Sequence, residues 1–474
     1  MDGRKTDTPS LDPSASVALA GFVAGLDLAN VPDDIVAYAR VLLLDLLGAA
    51  LAGVDTAEAR AMLSAAEGFA PNAGPCAIWG TSRTTTAAAA ALVNGVLAHA
   101  QELDDFGGAD HSGAVVIPAA LAVAEAEGID DGKRLLEAVI AGYDVALRVL
   151  EGAGGYRAHN TIGGWHSTGT CGSFGAAAAA ARMLGLDPGK TAWALGLAGS
   201  FTGGIWAFLA DGAMSKRYHT GRAAEIGVTA AYMARAGFTG PTLVLDAEWG
   251  GFLATYCGDE ARPEALTAGL GREYRIMKSG IKPHAACRGL HSALDVVLRL
   301  RAEHGLAAAD VARVDLRCSA EHKLTIGDPA PWTRLAAQMS LPYGVAVALV
   351  AGRASLTEFE DRWIGAAEVR DLMARVTMTV DPARDEDAQP SVLIETTGGE
   401  QLQGHQPIGL GDPRNPLTTE QVVAKYTDLA GRALPTDEVA TLRRRVRPAG
   451  GRRHGAASRV AAPARLKIER EFRG

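Results

Sequence analysis

The chain is poor in aromatic residues, 5% of 474, and its five cysteines (Cys76, Cys171, Cys257, Cys287 and Cys318) stand far apart. No pair has CxxC spacing. That speaks against a cysteine-held iron–sulfur cluster or zinc site and fits a reduced, cytoplasmic protein. A GxSxG elbow is missing, so an α/β-hydrolase is not expected. There is no GxxxxGK[ST] phosphate loop and no HExxH metal helix. The many glycines form no GxGxxG between a strand and a helix, so a nucleotide cofactor has no support. A basic excess is absent too: the net charge of -8 argues against a nucleic-acid partner but leaves room for a local basic pocket. The opening residues MDGRKTDTPSLDPSAS are polar, and no secretory signal is expected. Residues 191–210 are uncharged and long enough to span a bilayer, yet they contain four glycines and little Leu or Ile. They read as a buried helix followed by a loop, and no membrane partner is expected.

What the chain does have is small apolar residues. It is 48% hydrophobic and 21% charged, rich in Ala and Gly, which points to closely packed helices. Apolar residues at helical spacing recur from SVALAGFVAGL to GRAAEIGVTAAYMARAGF. Gly185 and the Asp187–Pro188 pair mark a helix end and a new start. Near residue 270 the pattern changes. ADVARVDLRCSAE and ARVTMTVDPA alternate as half-buried strands do, and SVLIETTGGEQLQGHQP reads as two strands around Gly398–Gly399. The expected fold is mainly α: an all-helical domain over 1–268, an α+β domain over 269–410, and a segment over 411–442 packing back on the helices. Residues 443–474 carry eleven basic and two acidic residues without apolar periodicity, and are expected to be poorly ordered.

Three polar clusters interrupt this small-residue background. In HAQELDDFGGADHSGAVV, Asp104, Asp105 and His111 fall in a loop between two helices, where catalytic groups are often placed, though helix capping would use the same residues. In NTIGGWHSTGTCGSFG, His166 precedes an Ala-rich helix whose free N–H groups could receive a carboxylate, or the loop is simply a close-packed turn. The third cluster is split between Lys216, Arg217 and His219 and, further on, Lys282, His284, Arg288 and His291. Such cations suit several carboxylates, or an ordinary charged surface.

At these clusters the sequence resembles the MmgE/PrpD family, motif after motif in the same order over roughly residues 15–440. KRYHTGRAAEIGVTAAYMARAGFTGP, KPHAACRGLHSALD, AAQMSLPYGVAVALVAG and DPRNPLTTEQVVAKYTDLAG carry the likeness beyond the first two clusters. The resemblance implies a large helical domain with a smaller α+β lid inserted late, a homodimer, and a site in the cleft between the domains. It implies action on a di- or tricarboxylate without metal or organic cofactor: dehydration of a 2-methylcitrate-like acid first, otherwise decarboxylation of a cis-aconitate-like acid or epimerisation of an iminodisuccinate-like acid. A non-catalytic polycarboxylate-binding relative is the alternative of another class. Carried over by motif, the pocket residues are Asp104, His111, His166, Lys216, Lys282 and Tyr343. The first motif departs from the usual DFDDT, with Glu102 and Phe106 in ELDDF.

The chemistry common to these activities is a carbanion-like centre alpha to a carboxylate, which needs a positioned base and fixed positive charge. Lys216 and Lys282 are expected to hold carboxylates, with Arg288 and His219 also contacting substrate. His111 or His166 moves the proton, Asp104 orients His111 or Lys216, and Tyr343 protonates a leaving hydroxyl or shuttles a second proton.

Overall fold

A computed structural model of the protein describes residues 14–385 and 388–446. Nine helices fill its first half: α1 (Ala15–Gly25), α2 (Asp33–Gly53), α3 (Ala57–Phe69), α4 (Ala87–His99), α5 (Gly113–Glu127), α6 (Gly132–Gly152), α7 (Ser167–Leu184), α8 (Pro188–Phe201) and α9 (Ser215–Arg235). The boundaries follow local chemistry. Gly185 adopts the left-handed conformation that ends α7, and the Asp187 side chain accepts from the Lys190 N–H at 2.9 Å to open α8.

Helix α7 is the hub and packs on α5, α6, α8 and α9. Every residue from Ser167 to Ala181 is buried. Glycine makes this approach feasible: a Cβ on Gly175 would lie 2.6 Å from the Gly142 carbonyl oxygen on α6. Between α4 and α9, a Cβ on Gly221 would lie 2.2 Å from the Leu92 oxygen. With so little apolar area per side chain, cohesion rests on dense contact over many atoms. Residues 191–210 form most of α8, a short loop and a 3-10 turn at Trp206–Ala210, whereas, among the described residues, the helix long and apolar enough to cross a membrane is α2, which is mostly buried in the core.

The second part holds a four-stranded sheet ordered Val376–Val380, Val311–Cys318, Ser391–Thr396, Gln401–His405. The first pair is parallel and the others antiparallel, with Leu316 opposite both Met378 and Val392. Buried Val314, Leu316 and Cys318 alternate along the central strand. The sheet and the helices His291–His304 and Leu341–Ala351 share one apolar core, reached from the helical part by Ala52, Leu103, Phe208 and Leu429. Ile276 and Ile281 still pack in the first core, and Ala285 already in the second.

The chain then returns to the helices. Val422, Tyr426 and Ala430 of helix Thr419–Ala430 join the first core, the helix lying along α2. A second helix, Thr436–Val446, follows after Pro435 and adds Val439, Leu442 and Val446. Arg443, Arg444 and Arg445 thus form the last turn of an ordered helix, where cations suit the dipole, and not the start of a loose tail. The rest of the basic tail, 447–474, lies outside the described residues.

Candidate active site

The site is built on the loop between α4 and α5. Asp105–Phe106 pairs antiparallel with Gly280–Ile281, which ties this loop to the segment carrying Lys282. Gly107, at φ 87°, passes so close to that segment that a Cβ would lie 2.7 Å from the Lys278 oxygen. Asp105 serves structure: its carboxylate accepts from the Gly113 N–H at 2.9 Å at the start of α5. Burial, then the neighbouring Asp104 charge, holds its pKa well above the usual range.

Glu102 and Asp110 are the two non-glycine residues with positive φ among those described, at 55° and 72°. Such backbone costs about 1–3 kcal/mol per residue and persists where surrounding contacts impose it. Both residues put carboxylates among site cations and imidazoles. Glu102, 1% exposed, accepts from Lys216 Nζ at 2.7 Å and Lys282 Nζ at 3.0 Å, and also from the Arg217 guanidinium. Burial alone would raise its pKa; Lys216, Lys282 and Arg217 together force it well below normal. Asp110 lies 3.2 Å from His166 Nε2 and 3.6 Å from His111 Nε2. Against the cost of burial, His111, His166 and Lys216 lower its pKa.

Asp104 bridges two imidazoles, His99 Nδ1 at 2.8 Å and His111 Nδ1 at 2.9 Å. Burial would raise its pKa, but His99 and His111 hold it well below normal. The carboxylate accepts a hydrogen bond from the Nδ1–H of each ring, which fixes both tautomers. His99 Nε2 is then the acceptor for Arg217 Nη1 at 3.0 Å. Burial keeps His99 neutral, its pKa well below normal. His111 Nε2 faces the cavity, 3.7 Å from Glu102 and 3.6 Å from Asp110. His166, at the start of α7, contacts His219 Nδ1 through its own Nδ1 at 2.9 Å. Burial lowers the pKa of His166, and lowers that of His219 to about 3, with His166 and Lys216 adding to the latter.

These groups border a cavity of about 660 Å³ lined by Glu102, Asp110, His111, Lys216, Lys282 and Arg288. Of the residues expected from sequence, Asp104, His111, His166, His219, Lys216 and Lys282 come together, and Arg288 stands at the mouth, half exposed. Tyr343 does not join them. It is fully buried in the second core, and its hydroxyl donates to the Glu358 carbonyl at 2.6 Å. A phenol spent on a backbone carbonyl inside an apolar core has no proton to offer the cavity. Asp104 orients His111, not Lys216, whose partner is Glu102.

Sequence reasoning missed His99 and Asp110 as members of the cluster, named Arg217 among the cations without giving it a role, and noticed Glu102 only as a departure from a motif. Gln338 supports the same network: Arg217 Nη2 donates to its side-chain oxygen at 2.8 Å, and its amide donates to the Gln101 and Ala285 carbonyls.

Two triads have ligand atoms within 4.8 Å of one another, His99/Glu102/His111 and Asp110/His111/His166. In the first, Glu102 already meets three cations and His99 accepts from Arg217, an environment hostile to a divalent ion. The second also feels the Lys216 charge. Three carboxylates (Glu102, Asp104, Asp110) balance three cations (Lys216, Arg217, Lys282) around lone-pair-bearing imidazoles. The arrangement can grip an anion and move a proton beside it.

The family model of the MmgE/PrpD N-terminal domain matches residues 17–264, and that of the MmgE/PrpD C-terminal domain residues 284–447. Among curated proteins, the cis-aconitate decarboxylase-like protein oryM of Aspergillus oryzae is 29% identical, covering 90% of this chain and 92% of its own length. Cis-aconitate decarboxylase of Aspergillus terreus is 28% identical over 88% of this chain and 89% of its own. The human cis-aconitate decarboxylase is 27% identical over 90% of each.

Proposed function

The chain belongs to the MmgE/PrpD family, and from that membership and the geometry above we propose that it is a lyase acting on a small polycarboxylate, by decarboxylation of a cis-aconitate-like acid. The observation that carries this reading is the meeting of His111, Lys216 and Lys282 on one cavity, with His166 behind its Asp110 wall, from stretches of chain up to 171 residues apart.

In the proposed reaction a substrate carboxylate takes the place of the Glu102 carboxylate opposite Lys216 and Lys282, or shares these cations with it. The C–C bond to a second carboxylate breaks and CO₂ leaves. The electron pair passes through the adjacent double bond into an enolate of the held carboxylate, where the two ammonium groups stabilise the new charge. The proton that quenches the carbanion comes from His111 Nε2, charged beforehand from solvent, with Asp104 supporting the imidazolium through Nδ1. His166, coupled to Asp110, is positioned to relay the replacement proton. No metal or organic cofactor takes part in this scheme.

Dehydration of a 2-methylcitrate-like acid is the second reading. It requires an acid for the departing hydroxyl, and Tyr343, expected in that role, is sealed in the second core. The names of the relatives further favour decarboxylation. Incubation with cis-aconitate, 2-methylcitrate and citrate in D₂O separates the readings. Decarboxylation predicts CO₂ release and one deuterium in the product from cis-aconitate. Formation of an unsaturated acid from 2-methylcitrate without CO₂ supports dehydration, and exchange without net loss supports epimerisation. No reaction with any acid leaves a binding protein.

Two architectural features belong to the same proposal. The sheet-bearing part acts as a lid over the helical part, supplying Arg288 to the cavity. The exposed apolar side chains Phe201, Ile205 and Trp249, the last 93% exposed, are suited to burial against a second copy of the chain. Light scattering on the purified protein checks the homodimer.

A further inference from the structure

The cavity is longer than one carboxylate needs. It runs from the lysine pair at Glu102 out to Arg288 and Arg414 at its mouth. Two groups lining this cavity, Arg288 and Tyr156, have unused hydrogen-bonding capacity. The carboxylate nearest Arg288, that of Asp412, is 3.9 Å away and is already engaged by Arg414 at 2.8 and 3.0 Å. The guanidinium is steadied instead by the Phe106 ring, 5.6 Å from its centroid. Tyr156 lines the same cavity, 42% exposed through its opening, and its hydroxyl makes no hydrogen bond among the described residues.

The backbone places that phenol deliberately. Gly154 and Gly155 are both left-handed, at φ 85° and 83°, and a π-helical turn, Arg157–Ile162, follows. Such turns are rare and cluster at functional sites. Resting on the reading of this cavity as a carboxylate-binding lyase centre, we propose that Tyr156 and Arg288 form an outer carboxylate subsite. The substrate is then an acid gripped at two carboxylates, one at Lys216 and Lys282 and another, not the one lost as CO₂, at Tyr156 and Arg288. A planar guanidinium and a phenol donor lining one cavity suit a carboxylate held by more than one donor. Packing around the ring, and next the Asp110 charge, hold the phenol pKa well above normal, so it stays a donor at all working pH values. Tyr156 and Arg288 act in this scheme as specificity residues.

The test is calorimetric binding of tricarballylate, a saturated tricarboxylate that cannot decarboxylate through a double bond. Wild type, Tyr156→Phe, Arg288→Gln and the double variant are compared at fixed salt. Loss of a charge-assisted contact at a partly exposed site should weaken binding roughly tenfold in Arg288→Gln and about threefold in Tyr156→Phe. Because both residues hold one carboxylate, the double variant should lose less than the product of the single losses. A merely structural role would not give that coupling. Unchanged affinity in both single variants, or no tricarballylate binding to wild type, overturns the subsite. Binding that the variants lose, in a protein that turns over none of the candidate acids, upholds the subsite and sinks the lyase reading alone.

Discussion

Glu102→Gln tests the electrostatic design of the site most severely. The substitution keeps shape and one acceptor oxygen but removes the charge that Lys216, Lys282 and Arg217 share. All four side chains are at most 2% exposed, so water screens little of the loss. Removing one member of a buried ion pair costs about 3–5 kcal/mol, because the remaining charges stay buried without compensation. For a protein of 474 residues, at about 2.1 cal/mol/K of unfolding entropy per residue, 1 kcal/mol corresponds to about 1 °C, so Tm should fall by about 3–5 °C in scanning fluorimetry. A small polyanion should then restore the variant more than it helps wild type, since it supplies the missing charge. At a concentration of 100 Kd the recovery is worth about 2.7 kcal/mol. Titrating tricarballylate during the melt reads both effects. If the variant melts like wild type, or if the anion lifts the two proteins equally, the cluster is not the charge-balanced anion site described here.

Tyr343→Phe should leave turnover within about threefold and cost about 1–2 kcal/mol of stability, since the Glu358 carbonyl loses its buried partner; kinetics and melting are measured on the same preparation. Glu125 accepts from the Ala77 N–H, and burial raises its pKa from 4.5 to about 7. Between those values the folded protein holds a proton that the unfolded chain has released, so stability falls as pH rises through this window. Glu125→Gln should therefore raise stability at pH 8 by roughly 2–3 kcal/mol after allowing for partial exposure, and do little at pH 4, as melts at the two pH values check. Gly175→Ala should destabilise α6 against α7 severely, because the added Cβ meets the Gly142 carbonyl; loss of soluble protein or a large drop in Tm checks this.

The elements legible in the sequence are those fixed by neighbours along the chain. Gly185, Asp187 and Pro188 announced a helix junction, and the alternation through residues 311–318 and 391–405 announced strands, because caps and pleats are local. Clusters around Asp104, His111 and His166 stood out as polar interruptions of apolar helices. The partnerships were not legible. Glu102 meets Lys216 across 114 residues and Lys282 across 180, and no local pattern encodes such a pairing. His99 looked like the end of an apolar helix, since its role depends on Asp104 and Arg217 reaching it from elsewhere. Tyr343, carried over by motif, lies elsewhere for the converse reason: its side chain packs in a core seen only in three dimensions. Arg443 to Arg445 read as tail because a basic run hides the apolar stripe of Val439, Leu442 and Val446.

The most direct measurement is turnover of the preferred acid by His111→Ala and His166→Ala, with kcat and KM separated. An imidazole that delivers the proton predicts a kcat loss of on the order of 10²–10⁴-fold for His111→Ala, with KM changed far less. Near wild-type kcat in both variants would contradict the assignment of proton transfer to this cavity.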